Sequence, residues 1–298
     1  MLFKRYAWPI IFSLCLILFT VYFMLDTFVI PKSLATVPED SNIEAVNKIE
    51  KPKNVIIEDN LYKDENVTIT LKEYREYNSN IYVAEIELLE PLLLKSAFAK
   101  STYGHNIKEN TSEIAKANDA IFAVNGDFYG TRKSRYVIRN GIHYRDIGAN
   151  GYEDLVVYKN GSYSTIIENT VTGPELIENG ANHLWSFGPT LVRDGVVSVS
   201  EDDTTGIAIK NPRTAIGFAD PAHLYFVVAD GRTRISEGLT FFELASFMKK
   251  IGAVSLSYNL DGGGSSTMYF NGRIINNPSA NGSDIVERSV SDIVYIGY

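Results

Sequence analysis

Residues Val254–Ile275 read VSLSYNLDGGGSSTMYFNGRII, and this stretch decides the fold. Val254 to Tyr258 is a strand that runs into a polar corner, and Thr267 to Phe270 is the strand that leaves it. Asn271-Gly272 is a type I′ hairpin signal, and Arg273 to Ile275 is the returning strand. Three consecutive glycines between strands cost chain entropy, so the corner needs a reason. Glycine there permits positive φ and lets a ligand approach the backbone. Exposed N–H groups of Gly262, Gly263 and Gly264, with the hydroxyls of Ser265 and Ser266, make a concave anion site with Asp261 at its lip. The same spacing also suits a plain structural turn. No GxxxxGK[ST] is present, which excludes a nucleotide P-loop.

Outward from this corner the pattern stays strand-rich. Val67–Leu71 and Ile81–Leu88 alternate with period two. Ile121–Val124, Leu155–Tyr158, Ala215–Phe218, Leu224–Ala229 and Ile293–Ile296 are short apolar runs that read as buried strands. One helix is well signed. Thr240 and Glu243 form a capping box, Leu239 and Leu244 can staple it, and Leu244, Ala245, Met248 and Ile251 share one face before Gly252 ends it. A shorter helix covers Ser112 to Ala117. Many strands and a few helices predict an α+β domain with a mixed, strand-rich sheet core.

Three further clusters carry polar chemistry. Ala123–Gly130 ends a strand in Asn125, Gly126 and Asp127, followed by the rings of Phe128 and Tyr129; this resembles a sugar subsite, or an ordinary loop. Arg213 opens a buried strand, where a charge needs a partner, and its planar fork suits a phosphate or carboxylate as well as a structural salt bridge. Asp230 and Gly231 turn the chain after Ala229. Ser186–Pro189 is a tight turn with an aromatic, and Glu287-Arg288 precedes the last strand.

Composition narrows the function classes. The 298-residue chain is 45% hydrophobic and 21% charged, which excludes a collagen-like or wholly disordered protein. Net charge is −8, so no nucleic-acid partner is expected. The single cysteine excludes a disulfide scaffold and a Cys-based zinc centre. No cofactor is expected; Ca2+ at Asp230 or Asp261 has no EF-type spacing behind it. The N-terminus sets the compartment. Lys4 and Arg5 precede an uncharged apolar run, AWPIIFSLCLILFTVYFML, long enough to span a bilayer. We read residues 1–5 as a cytoplasmic tip, 6–28 as a signal anchor, 29–66 as an extracytoplasmic stalk rich in Pro, Lys, Glu and Asn, and 67–298 as the domain. The chain is then a single-pass protein of a bacterial plasma membrane with its domain outside. Ser33-Leu34-Ala35 is a weak alternative cleavage site, and an ordered N-terminal subdomain is the alternative to the stalk.

In order, VNGDFYG, SFGP, NPRTAIGF, ADGR, the helix with Glu243-Leu244-Ala245, NLDGGGSSTMYFNG and ERSVSD resemble the phosphodiester glycosidase family, whose bacterial members are often labelled exopolysaccharide-biosynthesis proteins. The resemblance covers Phe122 to Tyr298 and weakly reaches Val67. It implies motif loops converging on one cleft and hydrolysis of a sugar-1-phosphodiester, releasing the sugar and leaving a phosphomonoester. The site it implies contains Asn125, Gly126, Arg213, Asp230, Gly231, Asp261, Gly262, Gly263, Gly264, Ser265, Ser266 and Arg288. Asp127 stands where many relatives have a small residue. In that chemistry phosphate leaves readily, so charge stabilisation matters more than a strong general acid. Arg213 and Gly262–Ser266 would take the phosphate, Asp261 and Asp127 compete as base or nucleophile, and Phe128, Tyr129 and Asn125 would touch the sugar. The partner is then a carbohydrate or sugar-phosphate polymer at the cell surface. A non-catalytic glycan-binding module in exopolysaccharide or envelope assembly and a structural ectodomain are the competing readings.

Overall fold

The computed structural model describes residues 2–36, 49–201, 209–280, 282 and 284–298. It opens with α1 (Leu2–Phe28), followed by β1 (Lys32–Thr36), β2 (Ile56–Ile57), β3 (Leu61–Lys63), β4 (Val67–Glu76), β5 (Ser79–Leu88), β6 (Leu94–Phe98) and β7 (Thr102–His105). Then come α2 (Thr111–Ala117), β8 (Phe122–Asn125), β9 (Arg135–Arg139), β10 (Ile142–Ile147), β11 (Glu153–Tyr158), β12 (Tyr163–Ile167), α3 (Gly173–Glu178) and β13 (Ala181–Trp185). The chain continues through β14 (Thr190–Arg193), β15 (Val196–Val197), β16 (Arg213–Asp220), β17 (His223–Ala229), α4 (Phe241–Ile251) and β18 (Leu256–Asn259). It ends with β19 (Met268–Phe270), β20 (Arg273–Ile274) and β21 (Asp292–Ile296). This is the α+β class expected.

Two sheets face each other across the main core. The nine-stranded sheet has the order β15-β14-β18-β16-β17-β5-β4-β3-β2, and a five-stranded sheet has the order β20-β19-β8-β21-β6. Their pairings are antiparallel. Ile69, Ile86, Ile216, Phe218 and Phe226 from the first meet Phe122, Val124, Phe270 and Val294 from the second. A third sheet, β10-β9-β13-β11-β12, adds Leu155, Val157 and Trp185 to the same core. Helices cover the outer faces: α4 lies over Ile81, Val83, Ala215 and Val227, α2 over Ala123 and Ile293, and α3 over Ile138 and Leu184. Period-two alternation therefore separates residues between two buried faces of one sheet, so strands read as continuous apolar runs.

The local signals act as the residue chemistry requires. Glu243 N–H donates to Thr240 Oγ1 at 3.1 Å and Thr240 N–H to Glu243 Oε2 at 2.9 Å, and Gly252 closes α4 at φ 107°. Asn271 (φ 44°) and Gly272 (φ 88°) both take the left-handed values of a type I′ turn. The segment expected as a stalk contributes three strands. β2 and β3 extend the nine-stranded sheet, and β1 pairs with β7 from Lys32↔His105 to Thr36↔Thr102. Residues 37–48 of that segment lie outside the described residues.

Candidate functional site

Three neighbouring strand ends build the triple-glycine corner. β8 ends at Asn125, β16 begins at Arg213, and β18 ends at Asn259. Asn125 joins them: its Oδ1 accepts from Thr214 Oγ1 at 2.8 Å and its Nδ2 donates to the Asp261 carbonyl at 2.6 Å. Asp261 N–H donates to the Gly126 carbonyl at 3.2 Å, and Gly263 N–H to the Pro212 carbonyl at 2.8 Å. Two glycines are required by space. A Cβ on Gly126 would lie 2.4 Å from Asp292 Oδ1, and one on Gly262 would lie 2.9 Å from the Pro212 carbonyl oxygen. The motifs near 125, 213 and 261 therefore meet through their backbones.

Asp261 is the carboxylate at the corner's lip. Its Oδ1 accepts from Gly262 N–H at 2.8 Å, and its Oδ2 accepts from Ser265 Oγ at 2.7 Å and Arg288 Nη2 at 3.3 Å. Arg288 also donates to Ser265 Oγ at 2.7 and 3.0 Å and to the Gly262 carbonyl at 2.9 Å. The Asp261 side chain is 11% exposed and that of Arg288 42%. Burial pushes the Asp261 carboxyl above its usual range; Ser265, Arg288, Gly262 N–H and Arg132 oppose the shift. An acid so placed reaches solvent only at its rim.

Arginines without carboxylate partners gather around this acid. Arg232, in the left-handed region at φ 61°, lays its guanidinium against Gly263, 2.9 Å from where a Cβ would be, and donates to Asn211 Oδ1 at 3.0 Å. Arg213 is buried and stacks 3.8 Å above the Phe241 ring. Burial, with the neighbouring charge of Arg232, lowers its guanidinium to about 10. Arg132 lies between the rings of Phe128 (5.7 Å) and Phe187 (5.0 Å) and donates to the Ser186 carbonyl at 2.8 Å. Among the described residues none of these three is in an ion pair within 4.0 Å. Of the three, Arg232 and Arg132 lie beside the corner, whereas Arg213 is turned to the α4 side. Arg232, inside the ADGR motif, and Arg132, two residues beyond VNGDFYG, were not expected at the site; those motifs are the local signal that marks them.

Several expected contacts have other uses. The N–H groups of Gly262, Gly263, Ser265 and Ser266 are all bonded within the corner or to Pro212, so the expected cradle of free amides is not formed by them. Arg213 spends its Nε and Nη2 on the Leu239 and Ile209 carbonyls at 2.9 and 2.8 Å, fixing the approach to α4. Its side chain shares the α4 face of β16 with Ala215, whereas Thr214 faces Asn125. Tyr129 is buried among Phe98 and Tyr103, 5.1 and 5.3 Å between ring centres, and does not offer a sugar platform; the half-exposed ring on that loop is Phe128. Asn125 is fully buried and joins strands. Asp230 accepts from Asn276 Nδ2 and Asn277 N–H, both at 3.0 Å, and Asn276 in turn donates to the Ser266 carbonyl at 3.0 Å, so Asp230 holds the far side of the corner. Gly231 and Gly264 are close-packing positions, with Cβ contacts of 2.7 and 2.8 Å to Pro212 N and Ala280 Cα.

Asp127 is the clearest case. Its carboxylate accepts from Tyr129 N–H at 3.0 Å and Ser186 N–H at 2.9 Å and pairs with Arg139 Nη2 at 3.0 Å. The same nitrogen reaches Asp292 at 2.8 Å, and both acids and the arginine are buried. Asp127 thus has no face toward solvent, whereas the Asp261 side chain is 11% exposed. Burial, with Asp127 and Asp261 as negative neighbours, pushes Asp292 well above the usual carboxylate range against the pull of Arg139. One proton on Asp292 leaves this buried triad electrically neutral.

No group of three His, Cys, Asp or Glu side chains that could hold a metal is found among the described residues. A cleft of about 450 Å3 is lined by Leu71, Glu73, Tyr82, Met268 and Arg273 among others; it meets the triple-glycine motif at Met268, and Asp261 is not in its lining.

Comparison with known proteins follows the same residues. A model of the family described as phosphodiester glycosidase matches residues 118–297. The SPbeta prophage-derived uncharacterized protein YomE of Bacillus subtilis is 32% identical over 206 residues, covering 66% of this chain and 31% of that protein. Human N-acetylglucosamine-1-phosphodiester alpha-N-acetylglucosaminidase is 26% identical over 207 residues, covering 63% of this chain and 40% of the enzyme. The catalytic domain of the zebrafish enzyme of that name, auto-inhibited by its pro-peptide, shares the fold with a TM-score of 0.60 at 20% identity, over 78% of this chain and 83% of that one. The chain thus spans about a third to two fifths of the curated relatives it matches.

Proposed function

The chain belongs to the phosphodiester glycosidase family, and from that footing we propose that it hydrolyses sugar-1-phosphodiesters at the Asp261 corner, as an ectodomain held to a membrane by α1. The observation that carries this is an acid at the corner's lip paired with half-exposed Arg288, with Arg232 and Arg132 beside it and in no ion pair among the described residues. Arg288 and Arg232 would hold the phosphate oxygens and stabilise the charge that grows as the phosphate leaves. Asp261, its proton affinity raised by burial, would take a proton from the attacking water, with Ser265 and Arg288 fixing its oxygens. Phe128 and Phe187, stiffened by Arg132, would offer faces to the sugar ring. The substrate would be a sugar-phosphate conjugate of the cell surface.

A second reading, a glycan-binding module without turnover, is favoured by the internally bonded amides of the corner, which leave fewer groups to stabilise a transition state. Purified full chain incubated with a panel of sugar-1-phosphodiesters, with released reducing sugar as readout, separates the two. The hydrolase reading expects release that Asp261→Asn lowers by at least roughly a hundredfold, with Asp127→Asn acting through stability. Saturable binding with no sugar released would establish the binding module.

A further inference from the structure

The end of α1 is fastened to the same edge that carries the site. Its apolar stretch, Ala7–Phe28, has 22 residues, about 33 Å of helix against a bilayer core of about 30 Å. Only Val29, Ile30 and Pro31 separate it from β1. Asn106 Nδ2 donates to the Thr27 and Ile30 carbonyls, both at 3.2 Å, and Lys32 pairs with Asp26 at 2.6 Å. β1 then lies on β7 so closely that a Cβ on Gly104 would sit 2.2 Å from the Lys32 carbonyl oxygen. No slack remains between helix and domain. Asn106 N–H donates to the Gly130 carbonyl at 2.9 Å, and Gly130 is four residues from Gly126, whose carbonyl accepts from Asp261. Four residues span at most about 14 Å, so a path of three hydrogen bonds, one asparagine side chain and that short stretch ties Asp261 to the end of α1.

A second observation concerns what surrounds the arginines. Ile209, Ile235, Ile285 and Val286 are 54–70% exposed. Three of them adjoin the corner: Ile235 follows Arg232 by three residues, and Ile285-Val286 precede Arg288, whose N–H donates to the Gly264 carbonyl at 3.3 Å; the Ile209 carbonyl accepts from Arg213 at 2.8 Å on the α4 side. Gly282, three residues before Ile285, would place a Cβ 3.1 Å from the Arg232 carbonyl oxygen. Branched aliphatic side chains do not stack on sugar rings as aromatic ones do; they match hydrocarbon.

The geometry points to a lipid-linked substrate: a sugar-1-phosphodiester whose second alcohol is a membrane lipid in the bilayer that holds α1. This rests on the hydrolase reading above and names its substrate class. The arginines take the diester phosphate at headgroup level, and the isoleucine rim takes the first part of the lipid alcohol. Water supplies oxygen to the anomeric carbon, the bond from that carbon to the phosphate oxygen breaks, and the products are the free sugar and the lipid monophosphate, with the water's second proton going to the phosphate.

The test uses full chain reconstituted in phosphatidylethanolamine–phosphatidylglycerol vesicles, with N-acetylglucosamine-1-phospho-polyprenol as one probe and the methyl diester of the same sugar phosphate as the other. The proposal expects kcat/KM at least about tenfold higher for the lipid-linked probe in the same vesicle. It also expects that preference to fall at least about fivefold in Ile235→Asp/Ile285→Asp. Equal or faster turnover of the methyl diester, or a preference untouched by the double variant, overturns the lipid assignment and leaves the hydrolase standing. Turnover of neither probe removes both.

Discussion

Gly126→Ala probes the joint beneath the corner. The new Cβ would lie 2.4, 2.6 and 2.8 Å from Oδ1, Cγ and Oδ2 of Asp292. Relief requires the carboxylate to retreat by about 1 Å, because ordinary carbon contacts begin near 3.4 Å. Asp292 Oδ2 accepts from Arg139 Nε at 2.8 Å and lies 2.8 Å from Arg139 Nη2, so a shift of the carboxylate disturbs both contacts. Neither group can turn to water, since Asp292 is 0% and Arg139 1% exposed. Overpacking costs about 1–3 kcal/mol and losing a buried hydrogen bond to a charged group about 1.5–3 kcal/mol, so a loss near 3 kcal/mol is expected. Urea unfolding of full chain in detergent, followed through the buried Trp185, measures it. Gly151→Ala is the control: its φ of 79° also disfavours a side chain, but nothing lies within 4 Å. A Gly126→Ala loss no larger than the control's would refute the claimed contact between Gly126 and the ion triad.

Other outcomes follow from the same groups. Asp292, raised to about 8 from the ordinary aspartate value, favours the folded state most when protonated, so its contribution is full at low pH and is lost as pH rises through about 8; Asp292→Asn should flatten this decline in unfolding experiments across pH 5 to 9. Arg232→Ala, removing a charge beside Gly263, should lower kcat/KM for a sugar-1-phosphodiester by roughly 10- to 150-fold with little change in unfolding midpoint, the value of one charge-assisted contact. Thr240→Ala should cost about 1 kcal/mol in the same unfolding assay through loss of the α4 cap, with a smaller effect on turnover.

Much of the fold lay in local signals. Thr240, Glu243 and Gly252 marked α4, and Asn271-Gly272 marked the β19–β20 turn, because capping and φ preference act over a few residues. α3 carries the same signal in Thr172, Pro174 and Glu175, yet its six residues are too few to show an apolar face. β1 was unreadable, since KSLAT has no period-two pattern and is a strand only because β7 receives it. At the site, the glycines and Asn125 showed which segments meet. They did not show which side chains face solvent. The partners of Asp127 are Arg139 and Ser186, and the partners of Arg213 are carbonyls of Ile209 and Leu239, and neither set follows from adjacent sequence.

The most direct test is the fate of oxygen. Full chain turning over a sugar-1-phosphodiester in heavy-oxygen water should place the label on the anomeric hydroxyl of the released sugar and leave the phosphomonoester unlabelled, as mass spectrometry of both products reports. Label in the phosphate would mean attack at phosphorus, and the account of an acid and arginines arranged for glycosidic cleavage at Asp261 would be contradicted.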